Sequence, residues 1–350
     1  MWPKVSIIWL NYNSSKFMPI ALRSLESVAE LDYPPDKYEL IVVDNCSTDG
    51  SYERIRDFLE KKSGLRKKLI RLSRNLGFTG GNNVGFAARD KESKYVLLLN
   101  NDAVLFQQGL KTLVEYAENN DRVVGLQGVV LRYGSRLIDT AGGFVDEMIL
   151  AYGLGNGKEY PWILRKPIYI SFADGSCSLF KVKNLLSCLG NKLFIEDFFA
   201  YGDDYVLSLM LWNKGYRLVA IPEIVAEHVR TLTLGKGSFL PVYLGTRSRS
   251  ALVLITNTRY RTLIRLHMLR SALTSTRLGV KLARYLLRAL VDGIKLGNKL
   301  KSKGLFIDIY RAPLIRIAIK NIMTYFTTKS MIRQYYESWA IKNLNFLVAE

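Results

Sequence analysis

The run Leu97-Leu98-Leu99-Asn100-Asn101-Asp102 ends an apolar strand abruptly in an amide-rich, acidic tip. A strand apolar on both faces belongs inside a sheet that is covered on both sides. A carboxylate at its C-terminal end stands where open α/β sheets bind ligands. The stretch before it alternates strand and helix. Val5–Leu10 reads as a first strand, and Ser14 or Ser15 caps a helix to about Glu30. Glu39–Val43 is a second strand, Tyr52–Lys62 a helix, Leu69–Leu72 a third strand, and Asn75–Gly81 a glycine-rich loop opening a helix to about Arg89. Tyr95–Leu99 is the fourth strand. This alternation predicts a largely parallel sheet with helices on both faces.

In a parallel sheet the C-terminal strand ends line one edge, so the polar tips converge on one crevice. They are Asn11 and Asn13, Asp44, Arg74 and Asn75, and Asn100 to Asp102. Further on, Gln107–Glu118 and Asp203–Lys214 read as helices, and Val123–Leu131 and Ile168–Phe172 as strands. Tyr216–Ile221 is a strand ended by Pro222, with His228 beyond it.

Asn100 and Asp102, two apart on an extended chain, point the same way. Hard oxygen donors of this kind suit Mg²⁺ or Mn²⁺ held partly by a substrate diphosphate, and imidazole suits Mn²⁺ as a further ligand. The plain alternatives are that Asp102 only turns the chain and that His228 is structural. Asp203 and Asp204 open a helix behind the aromatic stretch Phe198 to Gly202. They read either as N-terminal carboxylates favoured by the helix dipole or as a general base beside an acceptor shelf of Phe199 and Tyr201. Asn75 to Phe86 is neither a Rossmann nor a P-loop fingerprint, but its glycines permit close backbone approach to a ligand.

Charge is unevenly placed. Residues 245–350 hold 20 Lys and Arg against 4 Asp and Glu, while the preceding part holds 30 against 27. Val280–Leu296 sets Lys281, Arg284, Arg288 and Lys295 against a stripe of Val280, Ala283, Leu287, Leu290 and Ile294, a basic amphipathic helix suited to an anionic membrane surface. The alternative is that the stripe packs on the rest of the protein and the basic face is solvated. Three scattered cysteines, Cys46, Cys177 and Cys188, make no disulfide framework and fit a reducing cytoplasm. The opening apolar run is too short for a secretory signal, and no window reaches the length of a membrane span. These features place the protein in the cytoplasm, peripheral on the inner face of the cell membrane. A nucleic-acid binder would need aromatics interleaved with the basic run to read bases and would leave the acidic tips unexplained, so nucleic acid is not an expected partner.

At this point the residues resemble the family 2 inverting glycosyltransferases of the GT-A fold, especially rhamnosyltransferase-like members. The matching pieces, in the family's order, are Ser6–Asn13, Ile41–Ser51, Asn75–Gly85, Leu97–Val104, Ala173–Lys181, Phe198–Leu218 and the His228 segment. The resemblance implies a mostly parallel, mixed sheet sandwiched by helices. Its nucleotide-sugar-binding half is 1–105 and its acceptor-binding half 106–240, with a basic helical region at 241–350. It implies donor contacts at Asn11, Asn13, Asp44, Arg74, Asn75, Gly80, Asn82 and Asn101, with Asp44 on the base or ribose. Asn100, Asp102 and His228 would hold Mn²⁺ or Mg²⁺. Asp204, with Asp203 beside it, would be the catalytic base, and Phe199, Tyr201 and Asp174 would meet the acceptor. The implied donor is a UDP- or dTDP-sugar and the acceptor a glycan or lipid-linked hydroxyl. Asn100 departs from the family's acidic pair, Val206 stands where many relatives carry another acid, and Met210 where many carry Arg. These departures leave a catalytically inactive sugar-nucleotide binder as an alternative. A nucleotidyltransferase would want a Gly-rich, Arg-containing loop after strand one, where this chain has Asn11-Tyr12-Asn13-Ser14.

Overall fold

The computed structural model describes residues 2–230, 239–327 and 329–349. The strands are β1 (Val5–Asn11), β2 (Tyr38–Asp44), β3 (Lys67–Arg71), β4 (Tyr95–Asn100), β5 (Ala103–Leu105), β6 (Val123–Arg132), β7 (Ile138–Thr140), β8 (Gly143–Asp146), β9 (Ala151–Gly153), β10 (Ile168–Tyr169), β11 (Cys177–Lys181), β12 (Arg217–His228) and β13 (Leu314–Ile315). The helices are α1 (Met18–Ala29), α2 (Ser51–Glu60), α3 (Gly77–Ala87), α4 (Gly109–Glu118), α5 (Val182–Leu189), α6 (Asp203–Asn213), α7 (Leu240–Ile255), α8 (Arg261–Thr274), α9 (Val280–Ser302) and α10 (Lys329–Asn343).

The main sheet runs β10-β12-β6-β11-β4-β1-β2-β3, with β5 added to β12 and β7 to β6. From β3 to β4 it is parallel, as the alternation predicted. Beyond β4 it turns mixed: β11 is antiparallel to both β4 and β6, while β12 runs parallel to β6. Ile7, Trp9, Leu40, Val42, Leu97 and Leu99 lie in the apolar layer under one face, and Ile8, Val96 and Leu98 in the layer under the other. The period-two split of near-continuous apolar strands is what a sheet buried on both sides demands.

Three local expectations are corrected. Ser14 does not cap a helix; its hydroxyl donates to Asn11 Oδ1 at 2.6 Å, and α1 starts only at Met18. The glycines of Asn75–Gly81 do not form an open loop for a ligand, because α3 begins at Gly77 and runs through them. A Cβ at Gly81 would lie 2.4 Å from Leu10 Cδ1, and one at Gly85 2.5 Å from Ile8 Cγ2. These glycines let the helix sink onto β1. Pro222 does not end the last strand either; β12 continues through it to His228, with register shifts between Ala220 and Ile224 and between Ile224 and Ala226. A bulge tolerates proline because no ladder hydrogen bond is asked of it there.

The basic C-terminal third is helical, yet it shares the core. Leu252, Ile264, Ile309, Ile315, Tyr336 and Ala340 belong to the same buried cluster as Phe144, Ile170 and Phe180. β13 pairs in parallel with β8, and Tyr169 donates its backbone N–H to Leu347 O at 2.8 Å. Buried Asp146 accepts from Tyr325 and Tyr336 hydroxyls at 2.7 and 2.6 Å. Next to it, Glu147 accepts from the Ile317 N–H at 2.6 Å and from Arg259 at 2.9 Å. Among the described residues no helix is long and apolar enough to cross a membrane. The three cysteines are free.

Candidate active site

β4 stops at Asn100, and the chain turns through Asn101 and Asp102 into β5. β5 pairs antiparallel with the end of β12, setting Ala103 opposite His228. That pairing brings the Asp102 carboxylate to the imidazole: Oδ1 lies 2.9 Å from His228 Nε2. On the other side of the ring Nδ1 lies 2.9 Å from Asp139 Oδ2 on β7. Arg230 Nε stands 3.0 Å from the second oxygen of Asp139. All three of Asp102, Asp139 and His228 are buried. Burial alone pushes the imidazole's pKa down, but the hydrogen bonds to the two carboxylates outweigh it and carry it up to about 10.

The donor chemistry of this pair suits a divalent cation. Carboxylate oxygen and imidazole nitrogen are both ligands for Mn²⁺, and adjacent ligands at about 2.1 Å from one octahedral ion sit about 3.0 Å apart. The 2.9 Å separation of Asp102 Oδ1 and His228 Nε2 fits that edge. Asp139 on Nδ1 is placed as the carboxylate that orients a histidine ligand in such sites. Among the described residues no group of three or more His, Cys, Asp or Glu side chains forms a metal cluster.

Two hydrogen bonds tie the end of β4, just before Asp102, to Asp174, which lies near the second carboxylate group. The Asn100 N–H donates to Ser176 O at 2.9 Å, and Asp174 Oδ1 accepts from the Ser176 N–H at 2.9 Å. The Asp174 N–H is held by Gln127 Oε1 at 2.5 Å. Asp174 is close enough for its charge to act on both Asp203 and Asp204 at the start of α6. Desolvation raises the Asp203 pKa to about 7, with Asp174 adding to it. Asp204 is raised well above the ordinary carboxylate value, first by desolvation and then by the charges of Asp203 and Asp174. By surface exposure Asp203 is buried and Asp204 half-buried.

The loop ahead of α6 is conformationally demanding. Phe199 and Tyr201 have φ of 65° and 67°, and Gly202 has 91°. Left-handed backbone at two aromatic residues needs surrounding contacts to hold it. Thr79 N–H donates to Phe199 O at 3.1 Å, Arg247 donates to Phe198 O, and a Cβ at Gly77 would stand 2.4 Å from Phe199 O. The N-terminus of α3 is thereby locked to the loop carrying Phe199 and Tyr201. Tyr201 is exposed and Phe199 half-buried.

On the other side of the crevice, several expected donor contacts turn out to face inward. Asn11 is fully buried; its Nδ2 donates to Asp44 Oδ1 at 2.8 Å, and its Oδ1 accepts from Ser14. Asp44 is equally buried and takes the Ser47 N–H at 3.0 Å. Asn101 is buried with its Nδ2 3.5 Å from Asn11 Oδ1, and Asn82 donates to Phe78 O within α3. Asn13 Oδ1 takes the Thr48 N–H, tying the β1 tip to the loop after β2. Asn75 Oδ1 accepts from Gly77 N–H and from Asn45 Nδ2. Arg74 is exposed, and with Asn75, Gly80, Glu196 and Phe199 it lines a cavity of about 570 Å³ that does not reach Asp102 or His228. Sequence reading missed Asp139, Asn45 and Gln127. Asp139 sits in a three-residue strand with no motif around it, and only the β6–β7 pairing brings it to His228.

The architecture is that of GT-A glycosyltransferases. The chain belongs to glycosyl transferase family 2, whose description, "Glycosyl transferase family 2", matches residues 6–185. It is similar to the poly(ribitol-phosphate) beta-N-acetylglucosaminyltransferase TarS of Staphylococcus aureus, 31% identical over 118 residues, which is 33% of this chain and 19% of TarS. The match thus spans about a fifth of that relative's length. Among solved structures, TarS 1–349 in complex with UDP-GlcNAc superposes with a TM-score of 0.55 at 17% identity, covering 96% of this chain and 92% of that one. The mannosyltransferase PcManGT of Pyrobaculum calidifontis, in complex with GDP-Man and Mn²⁺, gives 0.52 at 21% identity, covering 98% and 88%.

Proposed function

We propose that the protein is a metal-dependent inverting glycosyltransferase that moves a sugar from a nucleotide-sugar to a hydroxyl of a glycan or lipid-linked acceptor. The observation that carries this reading is the meeting of Asp102 with His228 at the end of β4, linked through Ser176 and Asp174 to Asp203 and Asp204. Family membership supports sugar transfer, and the similar solved structures are complexes with UDP-GlcNAc and with GDP-Man. A nucleotide-sugar is accordingly the donor class, with UDP- or dTDP-sugars tested first.

In this reading Asp102 and His228, with Asn100 beside them, hold a Mn²⁺ or Mg²⁺ ion. The bound cation offsets the negative charge that develops on the departing diphosphate. Asp139 would keep the Nδ1 proton of His228 in place while a bound ion displaces the Nε2 proton now shared with Asp102. The nucleotide lies over the tips of β1 and β2, whose loops Asn11, Asn13 and Asp44 brace from within, while Arg74, Asn75 and Gly80 edge the crevice. Phe199 and Tyr201 position the acceptor, with Asp174 between the two carboxylate groups. The acceptor oxygen attacks the anomeric carbon, the bond from that carbon to the diphosphate oxygen breaks, and the acceptor proton passes to Asp204. One displacement inverts the configuration and leaves no sugar on the protein. A carboxylate with a raised pKa is a competent base for an alcohol whose proton leaves late, contributing about 10²–10⁴-fold.

The test is donor consumption across a panel of nucleotide-sugars with Mn²⁺, Mg²⁺ or chelator, comparing the native protein with Asp102→Ala and Asp204→Ala. Metal-dependent turnover lost in both variants supports the reading. Donor binding without turnover in the native protein replaces it with an inactive sugar-nucleotide binder.

A further inference from the structure

The stripe Val280, Ala283, Leu287, Leu290 and Ile294, expected as one apolar face, is split by the structure. Ala283 turns inward with Leu286, Gly293, Gly297 and Leu300, and this face packs on α7. The two glycines set the depth of that contact: a Cβ at Gly293 would lie 2.4 Å from Arg247 O, and one at Gly297 2.7 Å from Leu254 Cδ1. Val280, Leu287 and Ile294 turn outward and are joined by Val291, at 59, 36, 45 and 52% exposure. At about 100° per residue these four fall within about 60° of arc, and Arg284, Lys295, Arg288 and Lys281 fill the adjoining arc. α9 therefore has two apolar faces, one satisfied by α7 and one bare beside a row of cations.

α8 repeats the pattern independently. Ile264, Met268 and Ala272 are buried, while Leu266, Leu269 and Leu273 are exposed on the opposite side, flanked by Arg265 and Arg270. Residues 261–303 hold 11 Lys and Arg and a single acid, Asp292. An apolar stripe bordered by long cations is the arrangement that enters the headgroup boundary of an anionic bilayer, with alkyl groups toward the acyl chains and cations on the phosphates. A second copy of the chain fits less well, because it would press two strongly basic faces together. Single-stranded nucleic acid fits less well because Leu, Val and Ile offer bases no aromatic surface to stack on.

The geometry points to the outer faces of α8 and α9 as a docking surface for an anionic lipid bilayer. The docking is independent of the transfer chemistry, so its test contains no nucleotide-sugar. The full chain is sedimented with phosphatidylglycerol-containing vesicles and with pure phosphatidylcholine vesicles, at low and high salt. Binding is expected to the first only, and to weaken with salt. Leu287→Ser with Val291→Ser should abolish sedimentation. Lys281→Gln with Arg284→Gln should weaken it by about 25-fold, about fivefold for each charge removed. Both pairs lie on exposed positions, and unchanged thermal melting confirms that they fold. A chain that stays in the supernatant with phosphatidylglycerol, or pairs that bind as the native protein does, overturns the proposal. So does a native dimer by light scattering that the serine pair converts to monomer, since the face would then belong to a second copy.

Discussion

Asp139 Oδ2 lies 2.9 Å from His228 Nδ1, on the ring edge opposite the one that meets Asp102. The imidazole is thus oriented by one carboxylate and presented to another. If His228 ligates a cation, loss of the orienting carboxylate weakens the ligand without removing it. Asp139→Asn is expected to lower Mn²⁺ affinity by about 10–100-fold. Titration followed by the electron paramagnetic resonance of free Mn²⁺ measures this directly, and an unchanged affinity removes His228 from the coordination sphere.

The carboxylates at the head of α6 predict a pH dependence with a definite sign. A base must be unprotonated, and Asp203 titrates at about 7 with Asp204 also raised. The rate constant kcat/KM should fall as pH drops through the raised pKa of Asp204, above the ordinary carboxylate range. Asp204→Asn should lower kcat by about 10²–10⁴-fold with little change in donor KM. Full activity in Asp204→Asn would hand the base role to another group.

The same shift bears on stability. The Asp203 pKa lies above its ordinary 3.8, so the folded chain binds a proton that the unfolded chain has released. Stability from that proton is complete below 3.8 and is lost as pH rises through about 7. Asp203→Asn escapes the loss. Its melting temperature relative to the native protein should climb between about pH 4 and about pH 8. A pH-independent difference would show that the carboxyl is not desolvated.

The glycines of α3 yield a packing prediction. Gly85→Ala would place a methyl 2.5 Å from Ile8 Cγ2, and Gly81→Ala one at 2.4 Å from Leu10 Cδ1. Each should destabilise by about 1–3 kcal/mol through overpacking against β1. Denaturant unfolding at unchanged slope checks this, and a neutral alanine at Gly85 would mean that the helix rides higher than described.

Much of the parallel half was legible because its physics is local. Val5–Leu10, Glu39–Val43 and Tyr95–Leu99 are apolar on both faces, and polar tips mark where each stops. The mixed half depends on pairings between distant segments, and no short window records them. Asp139 reaches His228 through β7, β6 and β12. Asn11 and Asp44 stood out as polar residues at strand ends, yet that signal does not say whether an amide faces a ligand or a neighbouring loop; here they face each other at 2.8 Å. The α9 stripe misled for a related reason. A helix packed through two glycines buries an arc with little hydrophobic signature, so the larger alkyl groups are not all on the inside.

The irregular pairing of β12 has a consequence for its last residue. From Ala220 to His228 the strand advances eight positions while β6 advances five, from Gln127 to Arg132. The surplus of three is odd, and side chains alternate faces along a strand. The bulges absorb this surplus, so the last three residues pair regularly again and His228 stands opposite Arg132. A one-residue deletion around Pro222 would have to be taken up in those bulges for His228 to keep its place opposite Arg132 and between Asp102 and Asp139.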